Sequence, residues 1–375
     1  MLEVSSANCC GCAVCEVACT RHAIRIETDA LGFPIAFIER NLCIDCGLCE
    51  RLCPFHNKGE KTEEGFPKAY AVNHVSPKEI MRSRSGGAFA ALSKIILDEK
   101  GIVYGAGWSE NFQVVHKRAE TYEERDVLRG SKYIQSLTVG VYKKVLSDLK
   151  QGQTVLFSGT PCQVSALLKF IPKTYLANLF TIDIICHGVA SPAIWNEWIS
   201  YVSKFEGKPL VSANFRNKEI FGWAGLHRES FTFNNGKIRT YPFTFYQPFL
   251  IRESCHSCPY ASLNRVSDIT LGDFWGWERV VPDFPNSKEG VSLVLTNSTK
   301  GEELLQKSRG QIVLRSVALS EALQPNLQHP TLDDPMRQQF ANDYERRGFS
   351  YVRKRYWRVS MKEWLKFYVK RTLGR

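Results

Sequence analysis

No stretch of this 375-residue chain is apolar for long enough to cross a bilayer, and the run around LFTIDIIC is broken by Asp183. A membrane-spanning helix is therefore not expected. The opening residues, MLEVSSANCC, carry an acid at position three and no apolar core, which argues against a secretory signal and makes a cytoplasmic location the expectation. A complete dinucleotide fingerprint is missing too: YGAGW supplies Gly105 and Gly107, but position 110 is glutamate. No nucleophile–base–orienter triad stands out, which argues against hydrolysis and group transfer. Most of the chain also lacks net charge. The total is +11, but residues 346–375 hold 11 Lys and Arg against the single acid Glu363, so +10 of it lies there. Basicity confined to a tail, with no recognition-helix or zinc-finger pattern, argues against a nucleic-acid partner.

Cysteine is abundant. There are 13, and five fall between Cys9 and Cys19 in CCGCAVCEVAC. In a reducing compartment such usage points to metal ligands or catalytic thiols rather than disulfides. The spacing is Cys9-x2-Cys12-x2-Cys15-x3-Cys19, and it recurs as Cys43-x2-Cys46-x2-Cys49-x3-Cys53-Pro54. This is the bacterial ferredoxin pattern for two 4Fe–4S clusters, in which the fourth cysteine of each run serves the other cluster. Cys9, Cys12, Cys15 and Cys53 are thus assigned to one cluster, and Cys43, Cys46, Cys49 and Cys19 to the other. Between the runs, AIRIETDALGFPIAFI reads as a β-hairpin. Cys10 falls outside the spacing, and Thr20 stands where a proline usually follows the fourth cysteine. Zinc sites generally use paired CxxC units instead.

Beyond the polar segment NKGEKTEEGFP the pattern alternates strand and helix. KAYAVNH and IVYGAGW read as strands flanking the helix GGAFAALSKIILDEKG, and TVGVYKKVLSDLKQG is a helix ended by Gly152. TVLFSGTPCQVSALLKF and TIDIICHGVASPAIWNEWISYV are two strand–loop–helix units. Thr160-Pro161 and Ser191-Pro192 each suit a helix start. Residues 210–250 read as antiparallel hairpins, with a turn at Asn235-Gly236. The expected fold class is α/β: residues 1–60 a ferredoxin-like unit, 68–150 and 151–325 two parts of a largely parallel α/β unit with a hairpin insertion, and 326–375 a basic helical tail.

Four cysteines remain. Cys162 and Cys186 lie just past the two candidate strands, so parallel pairing of those strands would put both thiols on one sheet edge. Cys162 also falls in a helix's first turn, which favours thiolate. Taken singly, each is better explained as a buried cysteine that packs. Cys255-x2-Cys258 alone reads equally as a zinc half-site or a redox dithiol. Together the four match the needs of one more cubane. Ser158, Gly159 and Thr160 suit an anion at a helix N-terminus, as do Ser85, Gly86 and Gly87. In DITLGDFWGW, Asp273 precedes an aromatic cluster that is either packing or a wall for a planar cofactor.

The two cysteine runs, RSGGAFAAL, RGSKYIQS, SGTPCQVSAL, IICHGVASP, CHSCPYA and SDITLGDFWG, in this order over roughly residues 5–320, resemble the beta subunit of coenzyme F420 hydrogenases and dehydrogenases. The resemblance implies a flavin, FAD or FMN, fed by iron–sulfur clusters, and in archaeal members hydride exchange with the deazaflavin coenzyme F420. It implies that Ser85, Gly86, Gly87, Ser131, Lys132, Tyr133, Ser158, Gly159 and Thr160 line the flavin. Cys162, Cys186, Cys255 and Cys258 would hold a third cluster. Similar bacterial proteins occur without an evident deazaflavin, some with polysaccharide-synthesis enzymes.

Clusters move single electrons and a hydride acceptor takes two, so a flavin between them is the expected converter. The expected partner is a redox protein or ferredoxin-type electron donor. The competing reading is a non-enzymatic electron-transfer subunit that docks on a partner oxidoreductase. In the tail, Met361, Trp364, Leu365 and Tyr368 share one helical face among Lys362, Lys366, Lys370 and Arg371, suited to an anionic membrane surface, an acidic partner or the chain's own body.

Overall fold

The computed structural model describes residues 3–56, 63–224, 228–242, 245–285 and 287–357. Its N-terminal part holds a β-hairpin between the two cysteine runs. Short helices at Val14–Ala18 and Leu48–Leu52 flank the hairpin of β1 (Ile24–Thr28) and β2 (Pro34–Ile38). The hairpin pairs Ile24 with Ile38 and Thr28 with Pro34. Its turn is closed by the Gly32 N–H donating to the Asp29 carbonyl at 2.8 Å.

The body is an eight-stranded sheet. In chain order its strands are β3 (Lys68–His74), β4 (Ile102–Trp108), β5 (Val114–Ala119), β6 (Val155–Gly159) and β7 (Leu179–Ile184). A separate three-stranded antiparallel sheet follows, β8 (Leu210–Asn214), β9 (Arg228–Phe233) and β10 (Ile238–Pro242). The large sheet then gains β11 (Ile269–Asp273), β12 (Ser292–Thr296) and β13 (Ile312–Val317). Its order is β13-β3-β12-β11-β7-β6-β4-β5.

The expectation of a largely parallel sheet is corrected here. Only the central block β11-β7-β6-β4 is parallel, and the flanking pairings are antiparallel. A short link leaves no room for a crossover. β4 and β5 are joined by a turn in which the Ser109 N–H donates to the Gln113 carbonyl at 2.8 Å. On the other side β12 and β13 are linked through the helix Thr299–Lys307 and leave one position between them, which β3 fills in the opposite sense.

The central strands are apolar throughout because both faces are covered. Val155, Leu156 and Phe157 of β6 are fully buried, with Leu156 in the core on one face and Phe157 in the core on the other. Asp183, which interrupts the apolar run, is buried in β7 and paired with Arg265 at 2.8 Å. Gly105 and Gly107 lie within β4 beside Leu128, not in a phosphate loop. The hairpin turn at 234–237 needs a left-handed backbone only at Gly236, φ +76°.

The helix Pro192–Glu206 is capped by Ser191, whose Oγ accepts from the Ile194 N–H at 3.3 Å. It carries Trp195 and Trp198 into an aromatic core shared with the small sheet. The helix Met336–Tyr356, bent at Gly348, buries Phe340, Phe349 and Val352 in the same core. The expected tail thus packs on the body as far as that helix. Met361, Trp364, Leu365 and Tyr368 lie outside the described residues. No helix among the described residues is long and apolar enough to cross a membrane.

Candidate functional site

The two cysteine runs repeat in backbone as well as in sequence. Gly11 and Ala13 take φ of +65° and +62° around Cys12, and Asp45 and Gly47 take +53° and +70° around Cys46. Left-handed residues on both sides of the middle cysteine coil the chain tightly, and three cysteines of each run line one cavity. Each short helix then carries the third cysteine, and the fourth, Cys19 or Cys53, leaves it as an extended C-cap. The result is two crossed sets. One open cavity of about 400 Å³ is lined by Cys9, Cys12, Cys15 and Cys53, with apolar walls from Val4, Ile26 and Ala36. The other, about 440 Å³, is lined by Cys43, Cys46, Cys49 and Cys19, with Ile24, Ile38 and Ile44. Backbone N–H groups point at sulfur, Gly11 to Cys9 Sγ at 3.4 Å and Ala23 to Cys19 Sγ at 3.3 Å. Burial pushes the Cys15 thiol up to about 12.

A third cavity, about 600 Å³, gathers Cys162, Cys186, Cys255 and Cys258. Parallel pairing of β6 with β7 sets Gly159 opposite Asp183, so Cys162 and Cys186, each three residues further on, share one sheet edge. The 252–258 segment returns to that edge. Ala190 bridges Ile251, and the Arg252 N–H donates to the Val189 carbonyl at 2.9 Å. Gly188, φ +122°, permits the approach, since a Cβ there would lie 2.6 Å from Ile251 Cδ1. Thr160 begins the helix Pro161–Phe170: its N–H donates to Gln163 Oε1 at 3.1 Å, and its hydroxyl lies 3.2 Å from Cys162 Sγ.

The expectation that the helix start lowers the Cys162 pKa is corrected. Cys162 is half-buried by area because it faces the cavity, yet its thiol is held well above the usual value by a hydrogen bond to Cys10 and by desolvation. Two nearby effects outweigh the partial charge of one helix end. Burial likewise pushes Cys255 to about 12 and Cys258 to about 11. No group of three or more His, Cys, Asp or Glu among the described residues forms a ligand set for a metal ion. The cysteines stand around cavities instead.

Sequence reasoning missed the walls. Arg252 is 1% exposed and lines the third cavity. It donates to the Cys9 carbonyl at 2.6 Å, Gln135 Oε1 at 2.9 Å and the Pro34 carbonyl at 2.8 Å. Among the described residues no carboxylate forms a salt bridge with this guanidinium. A buried cation held only by neutral acceptors is suited to negative charge in the adjoining cavity. Tyr260 donates to the Pro54 carbonyl or Ser165 Oγ, both at 2.7 Å, and Thr138 donates to the Cys12 carbonyl at 2.8 Å. These contacts fix the cysteine-rich segment on the sheet edge. None has a sequence signature, because each joins segments far apart in the chain.

The nine residues expected around a flavin sit on three segments of the chain. None of the three cavities is lined by all three segments; only Thr160 lines one of them, the third. The Ser158 carbonyl accepts from His116 Nε2 at 3.0 Å. Since a carbonyl only accepts, Nε2 carries the proton, and Nδ1 accepts from the Ser136 hydroxyl at 2.7 Å. Gly159 sits beside this ring. Ser131 is exposed, and Lys132 spends its ammonium on backbone carbonyls, including that of Arg129 at 2.8 Å. Desolvation lowers the Lys132 pKa to about 7. Gly86 is pressed on β3, where a Cβ would lie 2.0 Å from Asn73 Oδ1, and Gly87 is the left-handed start of the helix Ala88–Asp98. Tyr133 meets the rings of His187 and Tyr246, both at 5.3 Å.

Ser85 leads to a cationic neighbourhood. Its carbonyl accepts from Lys218 Nζ at 3.0 Å, and its hydroxyl donates to the Val291 carbonyl at 2.6 Å. Arg84 and Arg216 both approach Asp273, at 3.7 and 2.5 Å. Burial lowers Arg84 to about 10 and Lys218 to about 8. Arg216 lies 5.1 Å over Trp275, whose ring stacks on Trp223 at 4.7 Å and is 41% exposed. Phe274 and Trp277 are buried core, so the aromatic cluster after Asp273 is packing at two positions and an exposed wall at one. Two cations, Arg84 and Arg216, at one carboxylate beside a flat apolar surface can take an anionic group attached to a planar ring, whereas Lys218 Nζ is taken up by the Ile80, Ser85 and Glu289 carbonyls.

Residues 152–321 match the family model for the C terminus of the coenzyme F420 hydrogenase/dehydrogenase beta subunit. That span contains Cys162, Cys186, Cys255 and Cys258. The chain is 20% identical over 290 residues to the F subunit of F(420)H(2) dehydrogenase from Methanosarcina mazei, covering 72% of this chain and 78% of that one. Among solved structures it is similar to a chain of the F420-reducing [NiFe] hydrogenase complex from Methanosarcina barkeri, at 17% identity and a TM-score of 0.46, over 78% of this chain and 91% of that one. Over the matched spans the chain is similar to these beta subunits.

Proposed function

We propose that the chain carries three 4Fe–4S clusters, one per cysteine-lined cavity, and exchanges their electrons with a hydride carrier through a flavin. The observation that carries the reading is the sorting of cysteines. Set Cys10 aside, and the remaining twelve fall four by four around three cavities. The walls suit clusters: apolar side chains exclude water, N–H groups face sulfur, and the Arg252 cation supplies positive charge. When bound, the clusters supply one-electron steps and the flavin couples them to a two-electron transfer. The chain's part is to fix the sulfurs and keep the first and third cavities adjacent. Arg84 and Arg216 would hold an anionic group beside the Trp223–Trp275 surface.

The donor is a ferredoxin-type redox protein. It would meet the second cavity, where Cys46 is exposed and Ile44 is 63% exposed. The curated relative is named for F(420)H(2), which makes the deazaflavin the first hydride partner to test. Anaerobic purification with iron, sulfide and flavin measured together should give about twelve irons per chain, four per cubane, and one flavin. Deazaflavin, nicotinamide and ferredoxin are then compared as partners. About eight irons would remove the third cluster, and absence of flavin from an iron-replete protein would favour a docking protein without hydride chemistry.

A further inference from the structure

Cys10 is the thirteenth cysteine, outside the ligand spacing, and its place in the fold is specific. It is 8% exposed. Among the described residues that line the first and third cavities, Cys10 is the one they share. Its side chain packs in one apolar cluster with Cys12 of the first set and Cys162 of the third. The backbone that carries it is fixed from several sides. Gln135 Nε2 donates to the Cys10 carbonyl at 2.9 Å, and Arg252 and Ser254 Oγ donate to the Cys9 carbonyl at 2.6 and 2.9 Å. Gly11 allows no side chain, because a Cβ would lie 2.5 Å from both Gln135 Nε2 and the Pro34 carbonyl. An apolar residue would fill the same space. A thiol adds one proton and a polarisable sulfur between two ligand sulfurs.

We propose that Cys10 is the bridge for electron transfer between the first and third clusters, its sulfur packed against the side chains of Cys12 and Cys162 and its S–H donating to one of these sulfurs, without ligating iron. The inference rests on the three-cluster reading above. In the step, one electron leaves the reduced first cluster and arrives on the oxidised third, or the reverse. No bond forms or breaks, and the proton stays on Cys10. Contact of its donor with a ligand sulfur also stabilises the more negative, reduced state of that cluster.

The test uses the full-length protein loaded with iron anaerobically, as wild type, Cys10→Ala, Cys10→Ser and, as a reference lacking the third site, Cys255→Ala. Iron content comes first, then the equilibration of a single flash-injected electron among the clusters, read by rapid-freeze EPR. Cys10→Ala is expected to keep all its iron and to equilibrate several-fold more slowly between the first and third clusters. Cys10→Ser, which keeps a donor of similar shape, should recover most of the rate. Wild-type speed in Cys10→Ala would overturn the bridge. So would equal slowing in both variants, which would make Cys10 packing alone, or loss of about four irons in Cys10→Ala, which would make it a ligand. If wild type and Cys255→Ala contain equal iron, the three-cluster reading itself fails, a result distinct from all of these.

Discussion

Replacing Arg252 with methionine tests the architecture most directly, because this one side chain joins the cysteine-rich segment to the sheet. Methionine keeps much of the volume and removes the charge and three hydrogen bonds. The Cys9 carbonyl retains the Ser254 hydroxyl at 2.9 Å, but Gln135 Oε1 and the Pro34 carbonyl lose the donors that bind them. Two buried acceptors left unpaired cost about 1–3 kcal/mol each, so about 2–6 kcal/mol in all, partly offset because a buried cation no longer needs desolvating. The charge has a separate effect. At a separation on the order of 8 Å and an effective dielectric of about 20, its interaction with one electron is about 2 kcal/mol. For a one-electron couple that is about 90 mV. The expected Arg252→Met protein therefore unfolds at lower denaturant, and its third cluster, titrated by EPR, has a midpoint potential tens of millivolts more negative. Two results would refute the reasoning: a midpoint that is unchanged or higher, or stability within about 0.5 kcal/mol of wild type, the range of an ordinary surface substitution.

Cys49→Ala should lose the second cluster while the first and third remain, seen as a fall of about four irons per chain; unchanged iron and an unchanged reduced EPR signal would reject the crossed assignment. Gly188→Ala places a methyl 2.6 Å from Ile251 Cδ1 at a φ of +122°, so it should displace the 252–258 segment and lower iron content by the third cluster's share alone. His116 is buried against Phe157, and desolvation lowers its pKa from 6.5 to about 4. The unfolded chain then binds a proton at higher pH than the folded one. Stability contributed by the neutral ring is complete above pH 6.5 and falls by about 3 kcal/mol as pH drops to 4. Denaturant titrations across that window should be visibly flatter for His116→Asn, and parallel curves would exclude this ring as the source.

The grouping of the cysteine runs around two cavities was legible in the sequence because its constraint is local: spacing dictates which cysteines can share a loop, and positive φ values at Gly11, Ala13, Asp45 and Gly47 shape those loops. The edge carrying Cys162 and Cys186 was legible for a similar reason, since two strand–loop–helix units of one design are natural parallel neighbours. Strand order was not. β3 is the first strand of the sheet in sequence, yet it lies between the last two, and only long-range pairing decides that. β11 went unread as a strand because ITLGD is short, and β5 because VVHKRA is polar at three of its six positions. The thiol of Cys162 misled for a physical reason: a helix end offers a partial charge, whereas Cys10 and burial act at contact. Arg84, Arg216, Lys218 and Asp273 come from three separated segments, and no local pattern marks cations that meet only in the fold.

The exposure of the three cavities bears on the order in which electrons would pass. At the second, Cys46 is exposed, with Leu42 48% and Ile44 63% exposed beside it, so a partner protein can come close to its sulfurs. At the first, Cys12 and Cys15 are buried, and Tyr260, Thr138 and Arg252 hold its loop against the body. The third is walled by the Pro161–Phe170 helix start, the end of β7, the 252–258 segment and Thr331, whose hydroxyl donates to the His187 carbonyl at 2.6 Å. Beyond it, Cys186 is followed by His187, whose ring lies 3.8 Å from Tyr246 and 5.3 Å from Tyr133. Thus the site most open to a protein donor and the His187, Tyr246 and Tyr133 rings lie at opposite ends of the series. A cluster path between them needs no moving part. It needs only that the first and third cavities remain in contact, and the buried hydrogen bonds of Arg252 and Gln135 serve that contact directly.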